Sequence, residues 1–309
     1  MIGTGIFSTP GSILGATGSI GLALMYWTIG AIMAFAGFGV YLELASYFPS
    51  RSGSDVVYLE QAYPRPRYFF PVAFAVQATI LSFSSSNAIV MSQYLWQIVG
   101  TTPSAWQVKG VAIAAYTAAV ICVVASNRYS LWVVNFLGLL KVLTLVFISI
   151  TGFVVLGGNV SRVPHPGTNF KNAFEGTTNN GNDLANALIS IVFAYNGYQN
   201  AFNVVNEIKN PIPSIKRYGF VSVLIVSILY LLCNVAYFAA VDKEAFGTSK
   251  EIAASVFFTT VFGPGPAKTV LNVLVLLSAY GNLLAVLIGQ SRMIREIGRQ
   301  GVLPFTEFW

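Results

Sequence analysis

The sequence predicts an all-α polytopic membrane protein in which two helices break at membrane depth. Apolar runs of roughly 20 residues, the length that crosses a bilayer core, recur along most of the 309 residues. Hydrophobic residues make up 55% and charged residues 9%, with a mean hydropathy of +0.68, whereas a soluble domain carries about 25% charged residues. Two apolar runs are interrupted by glycine and polar residues, at Gly3-Thr4-Gly5-Ile6-Phe7 and at Phe193-Ala194-Tyr195-Asn196-Gly197-Tyr198-Gln199-Asn200.

Taken in order, the first span follows the first break, over about residues 5–16, and the second covers about 20–45. Gly30, Ala34 and Gly37 give the second span a small-residue stripe for close helix packing. A loop with Arg51, Arg65 and Arg67 follows, broken by Pro49, Pro64 and Pro66. Span three runs over about 69–99 with the polar patch Ser82-Phe83-Ser84-Ser85-Ser86-Asn87, span four over about 108–125, and span five over about 132–156 with Lys141 inside it. A polar loop precedes the broken sixth span, about 184–206; span seven covers about 220–241. A short helix over about 250–262 is too short and too flanked by charge to cross, and span eight covers about 269–289.

The net charge of +6 suggests nucleic acid at first sight, but the basic residues sit singly in short loops, where the positive-inside bias accounts for them. Alternating the sides puts ten basic residues, from Arg51 to Arg299, on one face and six on the other, so the first face is cytoplasmic. Asn159-Val160-Ser161 is then a glycosylation triplet on the outer face. Cys122 and Cys233 each fall inside a span, as small apolar residues rather than a disulfide. With His165 the lone histidine, no metal site is expected, and no cofactor. No signal peptide precedes the first apolar run. The expectation at the termini is that half of the first helix lies before Met1 and further helices lie after Trp309.

Asn and Gln side chains cannot be satisfied by hydrocarbon, and backbone opens at membrane depth only where protein or a watery cavity takes over its hydrogen bonds. Glycine-interrupted spans at corresponding places in two halves of a chain point to a transporter's substrate site. An opened helix offers free N–H groups to a carboxylate and free carbonyls to an ammonium, with helix dipoles of matching sign. Gly3 and Gly5 let a ligand approach the backbone and Thr4 adds a hydroxyl; Phe193, Ala194 and Tyr195 offer carbonyls, with Phe193 placed to close over the ligand. The alternative is a pair of helix kinks with no ligand.

Lys141 lies some nine residues into its span, roughly 13 Å from the helix start, too deep to snorkel easily. Ionisable groups at such depth mark ion or proton pathways, though a lysine bonded to nearby carbonyls is the structural alternative. The spans carry no Asp or Glu in their interiors; Glu43 and Glu207 lie near span ends. Sodium beside a buried ammonium would be repelled, which favours proton coupling or simple exchange. The Ser82–Asn87 patch covers more than one helical turn and is read mainly as hydroxyls bonding back to their own helix. Tyr280, Asn282 and Gln290 stay ambiguous between packing and the cavity.

Ile2-Gly3-Thr4-Gly5-Ile6-Phe7, Phe193-Ala194-Tyr195 with Gly197 and Tyr198, and Glu207-Ile208-Lys209-Asn210-Pro211 resemble the amino acid–polyamine–organocation superfamily of permeases. So do the loop over 43–63 and the stretch from Ser291-Arg292 to Gly301-Val302-Leu303-Pro304. The resemblance extends to the L-type amino acid transporter-like branch and, within it, to fungal high-affinity methionine permeases. It implies inverted five-helix repeats, with residues 1–157 as a first repeat, 158–183 as an extracellular loop and 184–309 as part of a second. It implies that Gly3, Thr4 and Gly5 sit at the substrate carboxylate and that Phe193, Ala194 and Tyr195 form the ammonium-binding segment and gate, with Ile6, Asn196, Gly197 and Tyr198 among the substrate-binding residues; Lys141 matches the coupling lysine of the fifth helix, tied to a proton or to a vacated sodium site. Asn196 stands where the branch usually carries glycine.

The expected function is thus secondary transport of neutral amino acids such as methionine by alternating access, in the plasma membrane. The partners are the amino acid, the lipid bilayer and a proton as coupling ion, with no nucleic acid. An enzyme fits poorly, because one loop histidine leaves no acid–base pair. The rival from another class is a non-transporting amino acid sensor, or a truncated permease fragment.

Overall fold

The computed structural model describes residues 1–80, 85–248 and 253–301. Those residues form helices and turns with no strand among them. After non-helical Ile2 and Gly3 come α1 (Gly5–Ser8) and α2 (Pro10–Thr17), a nearly continuous helical path loosened at Thr9, where Pro10 has no N–H to offer. Gly18, at φ 71°, ends α2 in the left-handed conformation that glycine adopts without strain. Ser19 then caps α3 (Ile20–Tyr47), its hydroxyl accepting from the Leu22 N–H at 3.4 Å.

A short helix, α4 (Asp55–Ala62), lies in the loop after α3, where the sequence indicates only breakers. The third span is described in two pieces, α5 (Phe69–Ile80) and α6 (Ser85–Val99); Ser82, Phe83 and Ser84 of the polar patch lie outside the described residues. Next are α7 (Ala105–Ala125), begun by a reciprocal Ser104–Gln107 capping box, and α8 (Asn127–Leu156), separated from it by Ser126 alone. The broken sixth span is α9 (Gly181–Tyr195) followed by a 3₁₀ segment, Tyr198–Glu207. The seventh begins with α10 (Pro211–Ser214), passes a π-turn and continues as α11 (Phe220–Ala240). A further short helix, α12 (Lys243–Thr248), precedes α13 (Ala253–Phe262), which matches the expected short helix, whose first residues, from Lys250, lie outside the described set. Span eight is longer than expected: α14 (Pro266–Arg299) carries straight on through Arg292 and Arg295. Val302, Leu303 and Pro304 also lie outside the described residues.

Five of these helical runs are long and apolar enough to cross a membrane: Ile20–Tyr47, Ala105–Ala125, Asn127–Leu156, Pro211–Ala240 and Lys268–Arg299. Their surfaces carry many exposed large apolar side chains, such as Ile32, Ile113, Val124 and Leu139, as lipid contact requires. The protein is an integral membrane protein.

Small residues set the close crossings. A Cβ on Gly30 of α3 would collide with Ile191 and Tyr195 of α9, and one on Gly37 with the Tyr198 hydroxyl, so α3 lies against both halves of the broken sixth span. Gly152 of α8 likewise admits the backbone of α11, where Ala236 Cα would stand 2.7 Å from an added Cβ. Between them Trp27, Tyr195 and Tyr230 pack ring on ring at 5.1–5.8 Å between centroids.

The basic ends form a polar lattice on the side assigned to the cytoplasm. Arg51 reaches Glu296 at 2.9 Å and Glu60 at 3.5 Å, while Arg292 and Arg295 converge on Glu207 at 3.1 and 3.6 Å. Ser52 hydrogen-bonds Asn206, and Gln300 donates to Glu60 at 2.7 Å. The loop around α4 is thereby tied both to α14 and to the end of the broken span.

Candidate substrate site

At the first break the earliest helical bonds run from the Phe7 and Ser8 N–H groups to Thr4 O, at 3.1 and 3.0 Å. The N–H groups of Gly5 and Ile6 precede them and have no intrahelical acceptor. At the second break α9 stops because Asn196 turns extended (φ −62°, ψ 153°) and Gly197 takes φ 117°, where any other residue would be strained. The Asn196 N–H returns to Phe193 O at 3.3 Å, and the Gly197 N–H is taken by Gln199 Oε1 at 2.9 Å. No described backbone bond crosses the turn to the carbonyls of Ala194 or Tyr195.

The breaks touch. A Cβ on Gly5 would lie 2.7 Å from Ala194 Cα, so only glycine lets the two backbones meet there. Around this contact opens a cavity of about 280 Å³. Gly3, Thr4, Gly5, Phe193, Ala194, Asn196 and Gly197 all line it, so seven of the ten residues expected to bind substrate come together on one wall. The other three do not line it. Ile6 is fully buried in the core, and the Tyr195 hydroxyl turns away to donate to Trp27 O at 3.0 Å. The Tyr198 ring packs on Tyr41, 5.9 Å between centroids.

Lys141 also lies outside the cavity wall. Its Nζ donates to Ile2 O at 3.0 Å, and its stem passes Gly281 of α14, whose added Cβ would sit 3.2 Å from Lys141 Cε. It therefore braces the non-helical segment that leads into the first break.

The opposite wall comes from residues whose direction the sequence left open. Asn87 of α6 accepts from Thr4 Oγ1 at 3.4 Å and from Asn282 Nδ2 of α14 at 3.1 Å, which leaves its own Nδ2 donors for another partner. The Asn282 amide also stands 2.7 Å from where a Cβ on Gly3 would be, so a side chain there would push that amide aside. The wall continues through Gln77, Asn200, Asn203 and Gln290. Asn203 Oδ1 is buried there with no hydrogen-bond partner.

A carboxylate also reaches the cavity, brought by a loop helix rather than by a span. Asp55 at the start of α4 lines it and accepts a hydrogen bond from the Tyr41 hydroxyl. Burial raises its carboxyl above the ordinary range, against hydrogen bonds from Tyr41 and Ser54 that lower it. Among the described residues no group of histidine, cysteine and acidic side chains could hold a metal ion.

An amino acid permease family model matches residues 1–309. The high-affinity methionine permease of Saccharomyces cerevisiae is 37% identical over 310 residues, covering all of this chain. The chain belongs to the amino acid permease family. The low-affinity methionine permease of the same yeast is 31% identical over 99% of the chain, and the mouse b(0,+)-type amino acid transporter 1 is 29% identical over 97%. This permease chain spans 54% of the first relative's length, 56% of the second's and 60% of the third's.

Proposed function

We propose that the chain carries the substrate site of a secondary amino acid transporter that works by alternating access in the plasma membrane. The observation that carries this reading is the meeting of two opened helices, Gly5 against Ala194, on the wall of one polar cavity. The N–H of Gly5, which has no intrahelical acceptor, suits a carboxylate, and the carbonyl of Ala194 on the same wall suits an ammonium. Amide side chains on the remaining wall suit a neutral side chain, and the methionine permeases among the relatives support methionine as a substrate.

The repeat organisation proposed with this reading places residues 1–157 and 184–309 in inverted five-helix repeats joined by the outer loop. Lys141, holding the carbonyl of Ile2, is proposed to couple transport to a proton: with the bond broken, the segment before the first break is released.

Uptake of labelled methionine into proteoliposomes, under competition by a panel of amino acids and with or without an inward proton gradient, tests this. Saturable uptake competed by neutral amino acids and raised by the gradient is expected. Binding without flux would instead make the protein a sensor, and gradient-independent exchange would remove the proton.

A further inference from the structure

Asp55 is the one charged side chain in the cavity wall among the described residues, and no basic side chain lines the cavity beside it. We propose that Asp55 is a specificity-determining residue that excludes anionic side chains, restricting the site to neutral and cationic amino acids. This rests on the transport reading above and deepens it by naming the class of substrate refused.

The geometry holds the carboxylate in place. Ser54 at φ 41° and Gly53 at φ 98° turn the chain sharply into α4, and Arg51 and Ser52 just before them are pinned to Glu296 and Asn206. The acceptor role of Asp55 towards Tyr41 fixes the side chain further. The titratable groups around it are the phenols of Tyr41 on α3, Tyr58 on its own helix and Tyr198 on the 3₁₀ segment, and none of them supplies a positive charge. No described basic residue lies within ion-pair distance, so no ion pair offsets the charge of the carboxylate.

A cavity of 280 Å³ is about 8 Å across if taken as a sphere, so a second carboxylate inside it cannot stand far from Asp55. Two like charges about 8 Å apart, at an effective dielectric constant of about 20, repel enough to weaken binding roughly thirtyfold. Glutamine fits the amide-lined wall and differs from glutamate only in carrying no charge, so the pair isolates the electrostatic effect.

Labelled methionine uptake by the full-length protein in proteoliposomes, competed by glutamine and by glutamate, reads the effect as a ratio of two inhibition constants. That ratio cancels any change in the basal rate. Glutamate is expected to inhibit the wild type at least tenfold more weakly than glutamine, Asp55→Asn to bring the two within about threefold, and Asp55→Glu to keep them apart. A wild-type ratio near one, or an Asp55→Asn ratio like that of wild type, overturns the proposal. Where a variant carries no flux, displacement of bound methionine in detergent supplies the same ratio. A variant that neither binds nor transports makes Asp55 structural and likewise overturns it. A wild-type protein that neither binds nor carries any amino acid fails differently: the transport reading falls, and this inference with it.

Discussion

Ala194 Cα stands 2.7 Å from where a side chain on Gly5 would begin, so the two opened helices are held together by the absence of one carbon atom. Gly5→Ala is therefore expected to part the breaks and weaken methionine binding at least tenfold, because overpacking against backbone cannot be relieved by a rotamer change. Binding to the purified protein, alongside a check of its membrane insertion, measures this. Wild-type affinity would show that the contact is not needed by the site.

Lys141 and Ile2 make a second such pair. Lys141→Ala leaves a buried carbonyl without its donor, at a cost of about 1–3 kcal/mol. A lower melting temperature in detergent is expected, together with weakened pH dependence of uptake. An unchanged pH profile with a lowered melting temperature would leave Lys141 purely structural.

Asp55 sets a pH dependence of stability. Burial raises its folded-state carboxyl above the ordinary carboxylate range, so the folded protein takes up the proton more readily than the unfolded one. The stabilisation that follows is complete below the unfolded-state pKa and is lost as pH rises through the folded-state one. Asp55→Asn is thus expected to melt like wild type in acid and above it at neutral pH. Melting curves across that range provide the check, and parallel curves would contradict it.

The Arg51–Glu296 pair links the loop before α4 to the C-terminal end of α14. Glu296 is buried while Arg51 is nearly a third exposed, so solvent screening limits the expected coupling to about 1 kcal/mol in a double-mutant cycle. Arg51→Gln and Glu296→Gln, singly and together, supply the cycle; additive effects would mean that the contact contributes nothing.

Phe193 lines the cavity yet is half exposed. Phe193→Ala is expected to raise KM for methionine several-fold while sparing stability, since the ring contributes little to the core. Unchanged KM in uptake kinetics would exclude it as a gate.

Both breaks were legible in the sequence, because a glycine or an Asn-Gly pair inside an apolar run is a local signal that needs no tertiary partner. The long spans were legible for the same reason. Which way a polar side chain points was not. Asn87 and Asn282 read equally well as packing residues until α6 and α14 are seen to cross at Thr4. Tyr195 belongs to the break by position, but the carbonyl of Trp27 draws its hydroxyl to the other side. The eight residues of α4 are too few for a periodicity signal. The placement of Asp55 depends on contacts made more than 150 positions away, such as Ser52 with Asn206, so neither a search for acids inside spans nor local pattern could find it.

α14 runs unbroken for 34 residues, about 51 Å at 1.5 Å per residue, and Asn282 sits almost at its midpoint. Such a rod can pivot like a beam on a fulcrum. A tilt about Asn282 swings Glu296 and the opposite end near Asn272 in opposite directions while barely displacing the cavity-lining amide between them. One rigid element can in this way loosen one mouth of the cavity as it tightens the other, with the occupant left where it was.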